Sequence, residues 1–296
     1  MSFLTVHHTT IYRYREPVGL GEHRMLFCPR ASHDLRLIQT SLVITPQPLD
    51  LRWLHDPFDN SVAVATFEGT TTELRFESLV TLEHFENSLL AYPIEDYARN
   101  YPFRYSDDDF ANLARALEHY YPGETVSQWA LQFLDPAEST NTMKILSSMT
   151  QGISENFTYT HRSEKGVQSP GETLQTSSGS CRDFAVLMID AARSLGIAAR
   201  FISGYIFVPN GSGLAGGGAT HAWMQAYLPG AGWVDFDPTN SIIGNRNLIR
   251  VAVAWTPEQV LPLWGTYAGS PGAFLGMDVT VTVTEVTLSS SSSSPE

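Results

Sequence analysis

The chain is 296 residues long, enough to bury a substantial core and to hold two domains. Its formal charge of -13, from 18 Lys and Arg against 31 Asp and Glu, argues against binding to nucleic-acid phosphates and leaves no basic patch for an anionic membrane surface. The two cysteines, Cys28 and Cys181, make neither a disulfide framework nor a zinc-ligand spacing, so no cofactor is expected.

The N-terminal segment, Met1 to His8, lacks a basic stretch followed by a long apolar one, and no apolar run approaches ~18 residues. The expectation is a soluble, cytoplasmic protein. From residue 1 to about 85 the pattern is that of strands. Leu74, Phe76, Val80 and Leu82 alternate with Glu73, Arg75, Glu77 and Thr81, and similar short runs occur at Thr9 to Tyr14, Leu35 to Ile44 and Val62 to Phe67. Turn residues Pro46, Pro48, Pro57 and Gly69 separate them, which predicts an antiparallel β-sandwich. Cys28 lies in an apolar, strand-like stretch and reads as core.

Residues 86–137 form a connecting segment with one predicted short helix, bearing Phe110, Leu113 and Leu117 on one face. The acidic run Asp107-Asp108-Asp109 suits a helix start better than calcium, since no loop has EF-hand spacing.

The third section, 138–288, begins with a helix carrying Met143, Leu146, Met149 and Ile153. It continues through Phe157-Thr158-Tyr159 into a long loop rich in Ser, Gly and Thr that ends at Cys181. Phe184, Leu187, Met188, Ala191, Ala192 and Leu195 then recur at helical spacing until Gly196, so Cys181 opens an amphipathic helix. Ser180 is the predicted N-cap, with Asp183 completing a capping-box-like pair. The orphan backbone N–H groups and positive dipole end would favour a thiolate and offer donors to an oxyanion.

A second loop, Pro209 to Gly218, holds five glycines and is read as a flap or a plain linker. A phosphate cradle is disfavoured because no Lys-Ser/Thr pair follows. His221 to Leu228 and Trp233 to Phe236 read as the strands of a hairpin turned at residues 229–232, a geometry that can bring His221 and Asp237 together. Cysteine, histidine and carboxylate in that arrangement form a candidate thiol triad. Taken singly, Cys181 can be a small packing residue, His221 a satisfied buried histidine and Asp237 a turn residue before Pro238. Trp255, Trp264, Tyr267 and Phe274 read chiefly as packing, with one of them a candidate wall of an acyl-binding groove. Val279, Val281 and Val283 alternate with threonines as a last strand, and the serine run within 289–296 reads as a disordered tail.

The runs Gly179-Ser180-Cys181-Arg182-Asp183-Phe184-Ala185, Arg200 to Tyr205, Thr220-His221-Ala222-Trp223 and Gly232-Trp233 with Phe236-Asp237-Pro238-Thr239-Asn240 resemble the core of the bacterial transglutaminase-like proteins. The resemblance extends to the N-terminal part through Tyr14 to Val18, His23-Arg24, Pro29-Arg30 and His55 to Asn60, and so covers about residues 3–265. It implies an α+β chain: an N-terminal antiparallel β-sandwich, then a papain/transglutaminase-like core with the nucleophile at a helix N-terminus packed on an antiparallel sheet. Position by position, it implies Cys181 as nucleophile, His221 as base and Asp237 as the orienting carboxylate, with Asp235 two places before the position the family uses. The implied function is a cysteine hydrolase, a peptidase or amidase, acting on a peptide or amide-containing substrate. Transfer of the acyl group to an amine, and a non-catalytic binding protein on the same fold, are the alternatives.

Overall fold

The computed structural model describes residues 2–86, 93–121, 123–160, 162 and 166–286. The predicted serine-rich tail lies outside them. The first strand, β1 (Ser2–Met25), is followed by β2 (Leu35–Thr45), β3 (Asp50–His55), β4 (Ser61–Thr66) and β5 (Thr70–His84). They pair antiparallel in the order β2-β5-β1-β4-β3. Along β5 the predicted alternation holds: Leu74, Phe76, Val80 and Leu82 are each at most 1% exposed. Each such side chain contributes roughly 1.5–3 kcal/mol of apolar burial.

Strand β1 serves in two places. Its first half, Ser2 to Arg13, pairs with β5, whereas His23 to Met25 pairs with β4, and the register shifts between Arg13 and Val18. Pro17 falls in that interval, where its missing N–H makes an interruption of the ladder cheap. The N-terminal strands therefore form one continuous antiparallel sheet, in which β1 is shared between β5 and β4.

The middle of the chain supplies β6 (Asn100–Tyr101), α1 (Asp107–Leu117), α2 (Glu124–Leu131), β7 (Thr140–Asn141), α3 (Thr142–Asn156), β8 (Thr158–Tyr159), α4 (Pro170–Thr176) and β9 (Ser178–Gly179). Ser106 caps α1 by accepting from the Asp109 N–H at 3.1 Å, the helix-start role expected of the acidic run. Phe110, expected on the inner face, is 58% exposed. Leu113 and Ala116 are buried instead, clustered with Ala198, because this short helix turns a narrower stripe inward than its three large apolar residues span. Two helices, α1 and α2, occupy a segment predicted to hold one.

The core then runs through α5 (Cys181–Ser194), β10 (Ala199–Ile206), β11 (His221–Leu228), β12 (Gly232–Asp237), β13 (Ile242–Ile243) and β14 (Leu248–Ala254). The second sheet is antiparallel, in the order β13-β12-β11-β10-β14. Helix α5 packs against β10 and β11 and against α2, α3 and α4. It is consequently buried all round from Asp183 to Arg193, not amphipathic as its spacing suggested. It ends in a Schellman closure, with Ile197 N–H donating to Ala192 O and Gly196 N–H to Arg193 O.

The last strands, β15 (Leu263–Ala268) and β16 (Phe274–Glu285), leave the core and pair with the two halves of β1. The last strand among the described residues thus joins the N-terminal sheet. Trp264, Tyr267 and Phe274, expected as packing, stand 49%, 39% and 42% exposed on these strands.

Polar contacts lock the two sheets together. Asn60 donates to Val253 O at 2.9 Å and accepts from Val253 N–H at 2.8 Å, while its amide also reaches Asp56. Asp56 in turn accepts from the Phe58 and Asn60 N–H groups. The His55 to Asn60 run is therefore a structural fastener between the N-terminal sheet and β14. His8 adds a second link, its buried ring lying 2.8 Å from the Tyr205 hydroxyl of β10 and 2.9 Å from Thr10. Burial is the larger cause, and neighbouring His7 the lesser, of a His8 pKa near 4.

Candidate active site

Cys181 is the first residue of α5 and is 6% exposed. Its position is set by Asp183, which is fully buried. One carboxylate oxygen accepts from the Ser180 N–H and hydroxyl, both at 2.8 Å; the other accepts from Arg162 at 2.8 Å and the Gln168 N–H at 2.7 Å. Asp183 is thus committed to holding the helix start and the incoming loop, and the first-turn N–H groups of α5 stay without helical partners.

The loop before Cys181 is more structured than its composition suggested. Helix α4 interrupts it, with Ser169 accepting from the Glu172 N–H at 3.2 Å and Pro170 in the first turn. Ser169-Pro170-Gly171-Glu172 carries an N-cap, a first-turn proline and an acid, a start signal legible in the sequence beneath the Ser/Gly-rich background. After α4, β9 pairs in parallel with β8, setting Tyr159 opposite Gly179, and the Thr160 N–H donates to Gly179 O at 2.9 Å.

His221 opens β11 and Asp237 closes β12. The ladder pairs Met224 with Phe236 and Gln225 with Asp235, so its continuation sets Trp223 opposite Asp237, with His221 two residues along on the same face. His221 Nε2–H donates to Asp237 Oδ2 at 2.8 Å, and both side chains are buried. Asp237 also accepts from the Thr239 N–H at 2.9 Å and from the Asn240 amide at 2.8 Å. Burial opposes a charged His221, but the Asp237 carboxylate and the Cys181 sulfur outweigh it and push its pKa up to about 10.

Asp235 stays outside this arrangement: its Oδ1 accepts from Trp223 Nε1 at 2.6 Å and the Gln225 amide at 2.8 Å. It braces the sheet beside the site. Two further residues belong to the site. Asn240 joins Asp237 to the glycine-rich loop, accepting from the Ala215 N–H at 2.7 Å and donating to Ala215 O at 3.2 Å. Tyr159 stands opposite Gly179, two residues before Cys181; burial first, and then the nearby Cys181, push its phenol up to about 12. Asn240 stood in a quoted motif without a role, and no local signal marks Tyr159, because its place comes from the β8–β9 pairing.

The glycine-rich loop lies on the histidine. Gly216 has φ +91°, and a Cβ there would come 2.5 Å from His221 Nδ1. Strand β16 holds the same loop from the other end, with the Val281 N–H donating to Gly218 O at 2.9 Å. A cavity of about 250 Å³ lies in the N-terminal sheet, where half-buried Cys28 is among its lining residues. Among the described residues no group of three His, Cys, Asp or Glu side chains is arranged to hold a metal, and no helix is long and apolar enough to cross a membrane.

A buried helix-start cysteine beside a hydrogen-bonded His–Asp pair on an antiparallel sheet defines the transglutaminase-like class of thiol site. The chain belongs to the bacterial transglutaminase-like proteins: residues 4–83 match the bacterial transglutaminase-like N-terminal region, and residues 129–238 match the transglutaminase-like superfamily core. Among its relatives, a protein of Mycobacterium leprae is 38% identical over 121 residues, 40% of this chain and 42% of that protein. Proteins of Mycobacterium bovis and Mycobacterium tuberculosis are 27% identical over 300 residues, 93% of this chain and 91% of theirs. The fold is shared with a cysteine-protease candidate from Cytophaga hutchinsonii, which superposes with a TM-score of 0.70 at 19% identity over 97% of this chain and 92% of that one.

Proposed function

We propose that this chain is a cysteine hydrolase that cleaves an amide or peptide bond through a thioester, with Cys181 as nucleophile, His221 as acid–base and Asp237 as its orienting partner. The observation that carries the reading is the buried 2.8 Å His221–Asp237 bond at the helix start that bears Cys181. A packing role for each residue has no need of a charged, carboxylate-held imidazole beside the only cysteine in the core domain. The name borne by the Cytophaga hutchinsonii protein points the same way.

In the first step the Cys181 sulfur bonds to the carbonyl carbon and the C=O π pair moves onto oxygen. Collapse breaks the C–N bond while imidazolium His221 protonates the departing amine, leaving a thioester and neutral imidazole. Neutral His221 then takes a proton from water as its oxygen bonds to the carbonyl carbon, and collapse breaks the C–S bond, releasing the acid and restoring the Cys181 thiolate beside imidazolium His221. An amine in place of that water gives a new amide, so the same residues support transfer.

Two measurements test the reading. Iodoacetamide labelling of Cys181 should outpace that of a model thiol below pH 7, and equal rates would remove the catalytic role. A glutamine-peptide library incubated with and without a primary amine, followed by mass spectrometry, should yield mainly free acid; dominant amine adducts would make the protein an acyltransferase instead.

A further inference from the structure

Protein interiors are close-packed, so a small residue among large buried ones leaves volume unless a neighbour fills it. The inward face of β5 runs Leu74, Phe76, Ser78, Val80 and Leu82, all at most 4% exposed, and Ser78 is its one small and polar member. Its cross-strand neighbours are Leu42 on β2 and His8 on β1. A second row has the same form, with Ala63 on β4 between Trp53 on β3 and Met25 on β1. The cavity of about 250 Å³ is lined from both rows, because the residue in the middle of each is small.

None of the lining residues is charged. Phe27 closes one side, its ring centroid 4.2 Å from that of His8. Both nitrogens of His8 are engaged, with the Tyr205 hydroxyl and with Thr10, and the Cys28 thiol donates to Pro29 O at 3.5 Å. Ser78 differs: it is buried, and its hydroxyl has no hydrogen-bond partner among the described residues. A buried hydroxyl left unpaired is costly, which favours an occupant that meets it. Trp53, Thr40 and Ser41 line the same cavity and are exposed, so a ligand has a way in from solvent.

We propose that this cavity is a binding site for a small uncharged molecule, about the size of naphthalene, that is apolar over most of its surface and carries one hydroxyl for Ser78. An apolar cavity of about 150 Å³ takes up benzene. At about 250 Å³ there is room for a second fused ring. Phe27, Trp53, Met25 and Val80 supply aromatic and aliphatic contact surface, and Ser78 supplies the orienting polar group. An ionic ligand is disfavoured, since it would leave water for walls that hold no opposite charge. The site lies in the N-terminal sheet and does not depend on the hydrolase reading.

The test uses the full chain carrying Cys181→Ala, in which Cys28 is the only thiol left, and follows labelling of Cys28 by N-ethylmaleimide. Rising 2-naphthol should slow that labelling along a single saturable curve, by about tenfold or more at saturation. The anion 2-naphthoate, with the same rings, should need at least about ten times the concentration. Adding Ser78→Ala should weaken 2-naphthol about fivefold, the worth of one hydrogen bond, and leave naphthalene within about twofold. Ser78→Leu, which fills the gap, should remove protection by both; if that variant does not fold, the Ser78→Ala comparison still decides. Labelling unchanged by 2-naphthol up to its solubility would overturn the proposal. So would equal protection by 2-naphthoate, equal weakening of 2-naphthol and naphthalene in Ser78→Ala, or protection that survives in folded Ser78→Leu.

Discussion

Asn240 donates to Asp237 Oδ2 at 2.8 Å, the same oxygen that receives the His221 N–H. With its remaining amide atoms it grips Ala215 in the glycine-rich loop, so the carboxylate and the roof over the histidine are held by one side chain. Asn240→Ala should therefore loosen both. Removing hydrogen bonds of this kind, one of them to a charged group, costs about 1.5–3 kcal/mol. Urea denaturation of the variant should show a loss of that size, together with slower alkylation of Cys181; a change confined to stability would limit Asn240 to the fold.

Gly216 presses its backbone against His221 Nδ1, where a methyl group would come within 2.5 Å of the ring nitrogen, at φ +91°. Gly216→Ala must move either the loop or the imidazole. Positive φ alone costs alanine on the order of 1 kcal/mol, which the fold can absorb. The expected result is a nearly unchanged melting temperature with at least about a tenfold loss of turnover, the size of penalty that follows small displacements of reacting groups. Turnover equal to the parent's would show that the loop does not rest on the ring during catalysis.

The His221–Asp237 pair makes stability depend on alkaline pH. The folded pKa of His221, about 10, lies above its unfolded value of 6.5. A group raised on folding contributes stability that is fully present below the unfolded pKa and is lost as pH rises through the folded one. The urea midpoint should fall between pH 6.5 and 10, and Asp237→Asn should flatten that slope. An equally steep slope in the variant would assign the effect to other groups.

Asn60 joins the two sheets through paired bonds to Val253. Asn60→Ala leaves the Val253 N–H and C=O without these partners at a buried contact, a cost of about 1–3 kcal/mol for each group left unmet. A loss of roughly 2–4 kcal/mol in urea denaturation is expected. A shift below about 0.5 kcal/mol, the level of ordinary surface substitutions, would show that the fastener contributes little.

Much of this was legible locally. The capped start of α5, the hairpin of β11 and β12, and the alternation along β5 each depend on neighbours within a turn or a strand, and spacing reports such neighbours directly. The readings that failed share a different cause. Phe110 turned outward because the number of apolar residues on a helix does not say how wide a face its neighbours can cover. Helix α4 was hidden because its start signal lay in a stretch whose overall composition is that of a loop.

The sequence by itself determined which chemistry is available: one cysteine at a helix start, one histidine and one aspartate on paired strands. Only the tertiary structure decided what surrounds them. Tyr159 is placed beside the start of α5 by a parallel pairing with Gly179, 20 residues away in the chain, and β16 returns to hold the loop over His221. Contacts of that span leave no periodicity in the chain, because they depend on the packing of whole elements and not on the repeat within any one of them.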